Sequence, residues 1–237
     1  MDTNLTLLLG TAATIGVMHT LLGPDHYLPF VAMAKARGWS RLRATTITVL
    51  CGAGHVLGSV AIGLIGVALG WAVGSMEVFE ALRGELAALA LIGFGLAYGT
   101  WGLWRAIKRR PHSHRHLHTD GTVHSHPHSH EDDHVHVHDQ AERANITPWV
   151  LFTIFVLGPC EPLIPLLMIP AAEHSWWGLL MVAGVFGVAT IVTMTTVALA
   201  LIWGLDVIPL RGLERWSHAL AGLAIFLSGA AIRWLGL

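Results

Sequence analysis

The chain has 237 residues, of which 54% are hydrophobic and only 12% are charged, and its formal net charge is −1. Soluble domains carry roughly a quarter charged residues, so this balance excludes an ordinary water-soluble globular protein. We expect the lipid bilayer, and no nucleic acid, as the partner of its surface.

Six apolar stretches reach the length of about 20 residues that a helix needs to cross a hydrocarbon core of about 30 Å. The sequence therefore predicts an all-α polytopic membrane protein with a single membrane domain of about six transmembrane helices. The first stretch lacks a preceding basic region and a convincing cleavage site, which favours a membrane span over a removable signal peptide. The stretches lie near residues 4–34, 44–73, 82–107, 147–171, 175–204 and 213–236.

Basic residues are concentrated in alternate connections between these spans. The connections at 74–81 and 172–174 contain no lysine or arginine. By the positive-inside rule, the first, third and fifth connections are cytoplasmic, and both termini lie outside a cell (inner or plasma) membrane. The basic residues that decide this are Lys35, Arg37, Arg41 and Arg43 after the first span, Arg105, Lys108, Arg109, Arg110 and Arg115 after the third, and Arg211 and Arg215 before the sixth.

The third connection, residues 108–146, is polar and rich in histidine. It lacks the apolar residues of a core, which predicts a disordered cytoplasmic loop. Its neutral imidazoles should capture Ni²⁺, Co²⁺, Zn²⁺ or Cu²⁺ in many alternative ligand sets, and binding should weaken below about pH 6.5. The histidines are His112, His114, His116, His118, His124, His126, His128, His130, His134, His136 and His138.

This loop separates residues 1–107 from residues 147–237, and the two halves resemble each other. Leu22-Gly-Pro-Asp-His-Tyr-Leu28 aligns with Leu157-Gly-Pro-Cys-Glu-Pro-Leu163. Three spans in each half would place the repeats in opposite orientations, as in secondary transporters that bind substrate near the midplane between interrupted helices. We therefore predict a 3+3 inverted repeat with broken first and fourth helices.

The first span carries three ionisable residues, His19, Asp25 and His26, and such groups inside a membrane are costly and usually functional. A regular helix would separate His19 from His26 by about 10 Å along its axis, too far for one ion with bonds of about 2 Å. Pro24 after Gly23 can interrupt the helix and bring these side chains together. Imidazole with carboxylate suits nickel, cobalt or zinc rather than magnesium or calcium. The alternative is a pair of packing histidines near a kink.

Other spans offer further candidate ligands. His55 lies among glycines that permit close helix approach, so it can reach the first-span site or be a satisfied interhelical histidine. Glu161 can coordinate the ion or take up a coupling proton, and Cys160 beside it can offer a thiolate or simply pack. Weaker candidates are threonines, which in transmembrane helices often bond their own backbone: Thr190, Thr193, Thr195 and Thr196.

The motif His19-x5-Asp25-His26, the Gly-His55 pair and the histidine-rich loop together resemble the nickel/cobalt transporter superfamily. That group includes NicO-type permeases and exporters, urease-accessory membrane permeases and hydrogenase/urease nickel permeases. The resemblance implies a Ni²⁺/Co²⁺ carrier with His19, Asp25, His26 and His55 at the motif positions. Five residues rather than four separate the first histidine from Asp-His, which is more similar to the urease-accessory and hydrogenase-associated branch.

A second interpretation comes from Gly158-Pro-Cys-Glu-Pro-Leu-Ile-Pro165, which resembles the Pro-Cys-x-x-Pro elements of membrane thiol–disulfide carriers of the cytochrome-biogenesis type. Those carriers need paired cysteines in the two halves. Here the counterpart of Cys160 is Asp25, and Cys51 lies in a different helix, so disulfide exchange lacks its partner thiol. A third interpretation is a metal-binding membrane sensor or assembly factor that moves nothing.

We expect a secondary transporter rather than an enzyme, with no tightly bound cofactor. The chain has no G-x4-GK[ST] motif to cradle nucleotide phosphates, so an ion or proton gradient is the expected drive for alternating access. The expected substrate is Ni²⁺ or Co²⁺, with Zn²⁺ as a further candidate. An exporter would collect excess metal in the loop, whereas an importer would pass metal to a metallochaperone of hydrogenase or urease maturation.

Overall fold

The structure, a computed structural model, describes residues 3–70, 73–108, 112–117, 123–128, 146–173, 175–207 and 213–236. Eight α-helices and two short strands lie in these ranges. The helices are α1 (Thr3–Leu22), α2 (Leu28–Arg37), α3 (Arg41–Ala68), α4 (Val73–Lys108), α5 (Ile146–Leu157), α6 (Leu163–Ala172), α7 (Trp176–Val207) and α8 (Ser217–Leu235), with 3-10 turns at Pro24–His26 and Glu214–Trp216.

Five helices among the described residues are long and apolar enough to cross a membrane, namely α1, α3, α4, α7 and α8. Their outward faces carry large apolar side chains such as Leu57, Trp203 and Leu227, which are more than half exposed and suited to contact with lipid. The prediction of a helical membrane protein with several spans is therefore confirmed. The number of long spanning helices is five rather than the predicted six among the described residues, because the stretch at 147–171, which was predicted to be broken, consists of the shorter α5 and α6.

Two interruptions divide helical stretches that would otherwise be continuous. The first break, residues 23–27, follows α1 because Pro24 has no N–H to donate to the carbonyl one turn earlier, and Gly23 is extended with φ −90° and ψ 95°. The second break, residues 158–162, follows α5 in the same way at Pro159. The predicted breaks in the first and fourth apolar stretches are therefore present.

Close helix packing surrounds these breaks. The most extensive contact joins α4 to α8, while α1 packs on α7 and α3 packs on both α5 and α7. Small residues allow α4 and α8 to approach: a Cβ built at Gly95 would lie 2.4 Å from the backbone nitrogen of Phe226, and one at Gly222 would lie 2.2 Å from that of Gly99.

Replacing Gly222 by alanine should therefore destabilise the bundle. The added methyl would meet backbone atoms of α4, which can yield only if the helices separate, and overpacking of this kind costs about 1–3 kcal/mol. We expect a lower temperature of thermal unfolding in detergent. Gly93→Ala on α4 is the matched control, since its Cβ would meet no described atom within 4 Å; equal unfolding temperatures for both variants would contradict the prediction.

The histidine-rich segment contains the strands β1 (His112–Leu117) and β2 (Val123–His128), which pair antiparallel. These twelve residues are paired extended chain, whereas disorder of residues 108–146 as a whole stays a prediction. Histidine recurs at every second position of both strands, so the register pairs histidine with histidine in alternate rows: His112 with His128, His114 with His126, and His116 with His124. His118, His130, His134, His136 and His138 lie outside the described residues.

Candidate metal site

Three histidine side chains converge beside the first break. His19 comes from the last turn of α1, His26 from the 3-10 turn, and His55 from the middle of α3. Their ring centroids are 4.7 Å apart for His19 and His26, 5.1 Å for His26 and His55, and 6.4 Å for His19 and His55. One nitrogen of each ring lies within 4.8 Å of the others. We call these residues the three-histidine group.

The first break makes this convergence possible. A straight helix would leave His19 and His26 about 10 Å apart along the axis, whereas their rings are in edge contact. Donor nitrogens within 4.8 Å of one another need only a small contraction to share an ion at bonds of about 2 Å. The predicted role of Gly23 and Pro24 in bringing the two histidines together is confirmed.

Backbone carbonyls at the two breaks orient two of the three rings. Nδ1 of His26 lies 3.1 Å from the carbonyl oxygen of Gly23, and Nδ1 of His55 lies 3.3 Å from that of Phe155. Because a carbonyl oxygen only accepts, each Nδ1 carries the hydrogen, which leaves Nε2 with a free lone pair. Histidines that bind metals almost always donate their second N–H in this manner.

Proline explains why the Phe155 carbonyl is available. In an uninterrupted helix this oxygen would accept from the residue at position 159, but Pro159 has no N–H. The freed carbonyl accepts instead from His55 and from the backbone N–H of Gly158, 3.1 Å away. Each break thus contributes one carbonyl to the orientation of one histidine.

The three Nε2 atoms are buried, and within the described part of the chain no hydrogen-bond partner reaches them. His26 and His55 are each only 3% exposed. A buried polar atom without a partner costs about 1–3 kcal/mol, so packing alone does not account for three such atoms on rings that lie this close together. The alternative of satisfied packing histidines therefore does not describe this group, whose free lone pairs suit a bound cation.

Asp25 lies beside the three-histidine group, not within it. Its Oδ1 is 3.3 Å from Nδ1 of His26, the ring nitrogen that is also bonded to the carbonyl of Gly23. Sequence reasoning placed this carboxylate among the ligands. The structure instead places it beside the Nδ1–H of His26, where its negative charge would stabilise a cation bound to that ring.

The second break does not bring its own candidate ligands to the group. The side chain of Glu161 is exposed, and Cys160 is wholly buried among apolar residues that include Leu163 and Val182. Cys51 lies in a separate buried cluster, and both cysteines are free thiols.

The threonines of α7 are differently placed. Thr190 and Thr195 each have a buried hydroxyl with no partner among the described residues, contrary to the expectation that they bond their own backbone. Thr190 packs against α1, where its Oγ1 would be 3.3 Å from a Cβ at Gly16. Thr193 is half-buried and Thr196 is exposed.

Sequence reasoning missed a buried polar cluster next to the second break. Glu80 and Arg83, which are 0% and 7% exposed, form an ion pair on α4 and contact Ser59 of α3. The available signal was an acidic and a basic residue three apart in an apolar helix. The predicted third span began at residue 82, so Glu80 was assigned to the preceding connection and Arg83 to the span.

The fold and the site define a helical membrane protein with a buried three-histidine group that could hold a metal ion. Comparisons with protein-family models, with curated proteins and with solved structures find no match for this chain.

Proposed function

We propose that the protein is a secondary transporter of divalent transition-metal ions, with Ni²⁺ or Co²⁺ as the expected substrate. The observation that carries this proposal is the convergence of three imidazoles at the break in a membrane helix, each with a buried Nε2 that has no partner among the described residues. Imidazole suits nickel, cobalt, zinc and copper better than magnesium or calcium. The resemblance of the motif residues to the nickel/cobalt transporter superfamily favours the same substrates.

Transport, rather than permanent binding, is favoured by where the site is built. Substrate sites of secondary transporters lie between discontinuous helices, whose unpaired backbone groups line the site. Here both breaks contribute a carbonyl to the site. Three protein ligands also leave coordination positions open for water, so the ion need not be enclosed by the protein and can leave again.

An inverted repeat is the expected basis for alternating access, and the helix pairings support it. Exchanging the halves matches α1 and α2 with α5 and α6, α3 with α7, and α4 with α8. Under that exchange the α1–α7 packing corresponds to α5–α3, and the α2–α8 packing corresponds to α6–α4. The α3–α7 and α4–α8 packings correspond to themselves, as two-fold symmetry requires.

The proposed orientation rests on polar contacts that gather the basic ends of several helices. Arg37 at the end of α2 donates to Thr147 at the start of α5, and Lys35 pairs with Asp206 at the end of α7. By the positive-inside rule this end of the bundle is cytoplasmic. The histidine-rich segment, which follows α4, would then deliver or collect metal on that side.

Flux of Ni²⁺ or Co²⁺ into proteoliposomes containing the full chain tests the proposal. We expect saturable flux that responds to a pH gradient and that Zn²⁺ inhibits more strongly than Mg²⁺, because imidazole discriminates against hard cations. Deleting residues 112–138 should lower the capture of dilute metal but leave flux at saturating metal. Tight metal binding without flux would identify a sensor or assembly factor instead, and metal content of overexpressing cells would give the direction.

A further inference from the structure

We propose that the Glu80–Arg83 pair is the positioning element of the metal site, acting on His55 through the second break. This inference rests on the proposed function, because it concerns the same three-histidine group. Neither residue is part of that group. Their effect passes through the backbone at the end of α5.

The pair replaces a helical hydrogen bond that the second break opens. In a continuous helix the N–H of Cys160 would donate to the carbonyl of Val156. In the structure the N–H of Cys160 donates to Oε2 of Glu80 at 3.1 Å, and the carbonyl of Val156 accepts from Nη2 of Arg83 at 2.7 Å. One ion pair therefore satisfies both ends of the missing bond.

The same guanidinium reaches a further freed carbonyl. Nη2 of Arg83 lies 3.3 Å from the carbonyl oxygen of Gly158, which in a continuous helix would accept from position 162. That position is Pro162 and has no N–H. A planar group with several donors can bond two carbonyls and a carboxylate together, which the single ammonium of lysine does less well.

Space for the guanidinium is built into α3. A Cβ at Gly58 would lie 3.0 Å from Nη2 of Arg83 and 3.0 Å from the carbonyl oxygen of Val156. The next residue, Ser59, is fully buried and bonds both members of the pair at 3.2 Å. Gly58 and Ser59 thus form one side of the pocket that holds the Arg83 guanidinium, which we call the Arg83 pocket.

The Arg83 pocket is linked to the metal site through α3 and through the end of α5. Ser59 follows His55 by one helical turn, so both side chains lie on one face of α3. His55 bonds the carbonyl of Phe155, and Arg83 bonds the carbonyl of the next residue. The end of α5 is therefore tied to α3 and α4 at consecutive carbonyls, and its position determines where the Nδ1 of His55 can point.

The charge of the pair supports a role beyond packing. Replacing a buried ion pair with apolar residues is often neutral or stabilising, and ionisable residues within membrane helices are usually functional. A second ion pair on the same helix, Glu85 with Arg233 of α8, is partly exposed and has no part in the break. It offers a matched comparison.

The experiment is a Co²⁺ titration of the full chain in detergent, followed by the d–d absorption of bound cobalt. The signal of the site is the part of the spectrum that His26→Ala removes, which separates it from cobalt bound to the histidine-rich segment. For Arg83→Lys we expect about 10- to 100-fold weaker binding in this signal and an altered band shape, the range found for residues that orient metal ligands. Arg233→Met should match the unmodified protein in both.

The double variant Glu80→Gln/Arg83→Met removes both buried charges, so it should fold even if a single substitution does not. It should show the same weakened and altered signal, with an unchanged helical circular dichroism spectrum. Wild-type affinity and band shape in a folded double variant would overturn the inference alone. Absence of any His26-dependent signal in the unmodified protein would overturn the proposed site, and this inference with it.

Discussion

Replacing His26 by alanine is expected to reduce metal affinity and transport at limiting metal by at least about 100-fold, more than the loss of an orienting residue. His26 lies between the other two rings, with centroids 4.7 Å from His19 and 5.1 Å from His55. Its removal would leave only His19 and His55, whose ring centroids are 6.4 Å apart. Initial rates of Co²⁺ and Ni²⁺ flux in proteoliposomes, with binding measured separately, would report the loss.

The control for this variant is His218→Ala. That imidazole is bonded to Tyr98 at 2.7 Å, at the contact between α4 and α8, and is not part of the three-histidine group. It should leave flux close to that of the unmodified protein. A His19→Ala/His26→Ala double variant that still transports at the normal rate would refute the site.

The second large effect is expected for Gly23→Ala. A Cβ at this position would lie 2.6 Å from Nδ1 of His26 and 2.8 Å from Oδ1 of Asp25. The methyl must push the imidazole away from the carbonyl that orients it, so we expect metal affinity and flux at limiting metal to fall by about 10- to 100-fold. The helices themselves should persist, because alanine is a good helix former. Flux and circular dichroism measured on the same preparation separate these effects.

Alanine variants of two further glycines serve as comparisons for Gly23→Ala. Gly10→Ala in α1 adds a methyl with no described atom within 4 Å and should have no effect. Gly158→Ala should have a smaller effect than Gly23→Ala, since its Cβ would lie 3.1 Å from Nδ1 of His55, where a slight shift suffices. Equal flux in the Gly23 and Gly10 variants would contradict the proposed orientation of His26.

Several features of the site were predictable because their causes are local. Proline lacks an N–H wherever it stands, so Pro24 and Pro159 predicted both breaks. The first break in turn predicted that His19 and His26 would meet. His55 was predicted only as a candidate, because glycines beside it permit close approach without specifying which neighbour approaches.

Other features depend on how helices are rotated about their own axes. Asp25 and Glu161 follow their glycines at nearly equal distances in the sequence, yet Asp25 lies against His26 whereas Glu161 is exposed. Nothing within either segment specifies which way the side chains face. Packing of the surrounding helices makes that choice, because it decides which positions are covered.

The sequence by itself determined the membrane class, through its apolar composition, and the positions of the helix breaks, through its prolines. Only the tertiary structure showed that His55 completes the group and that Glu80 and Arg83 satisfy the backbone opened at the second break. The contact of Arg83 with Val156 joins residues 73 positions apart. Such a bond depends on the relative placement of α4 and α5, which long-range packing determines and local sequence does not encode.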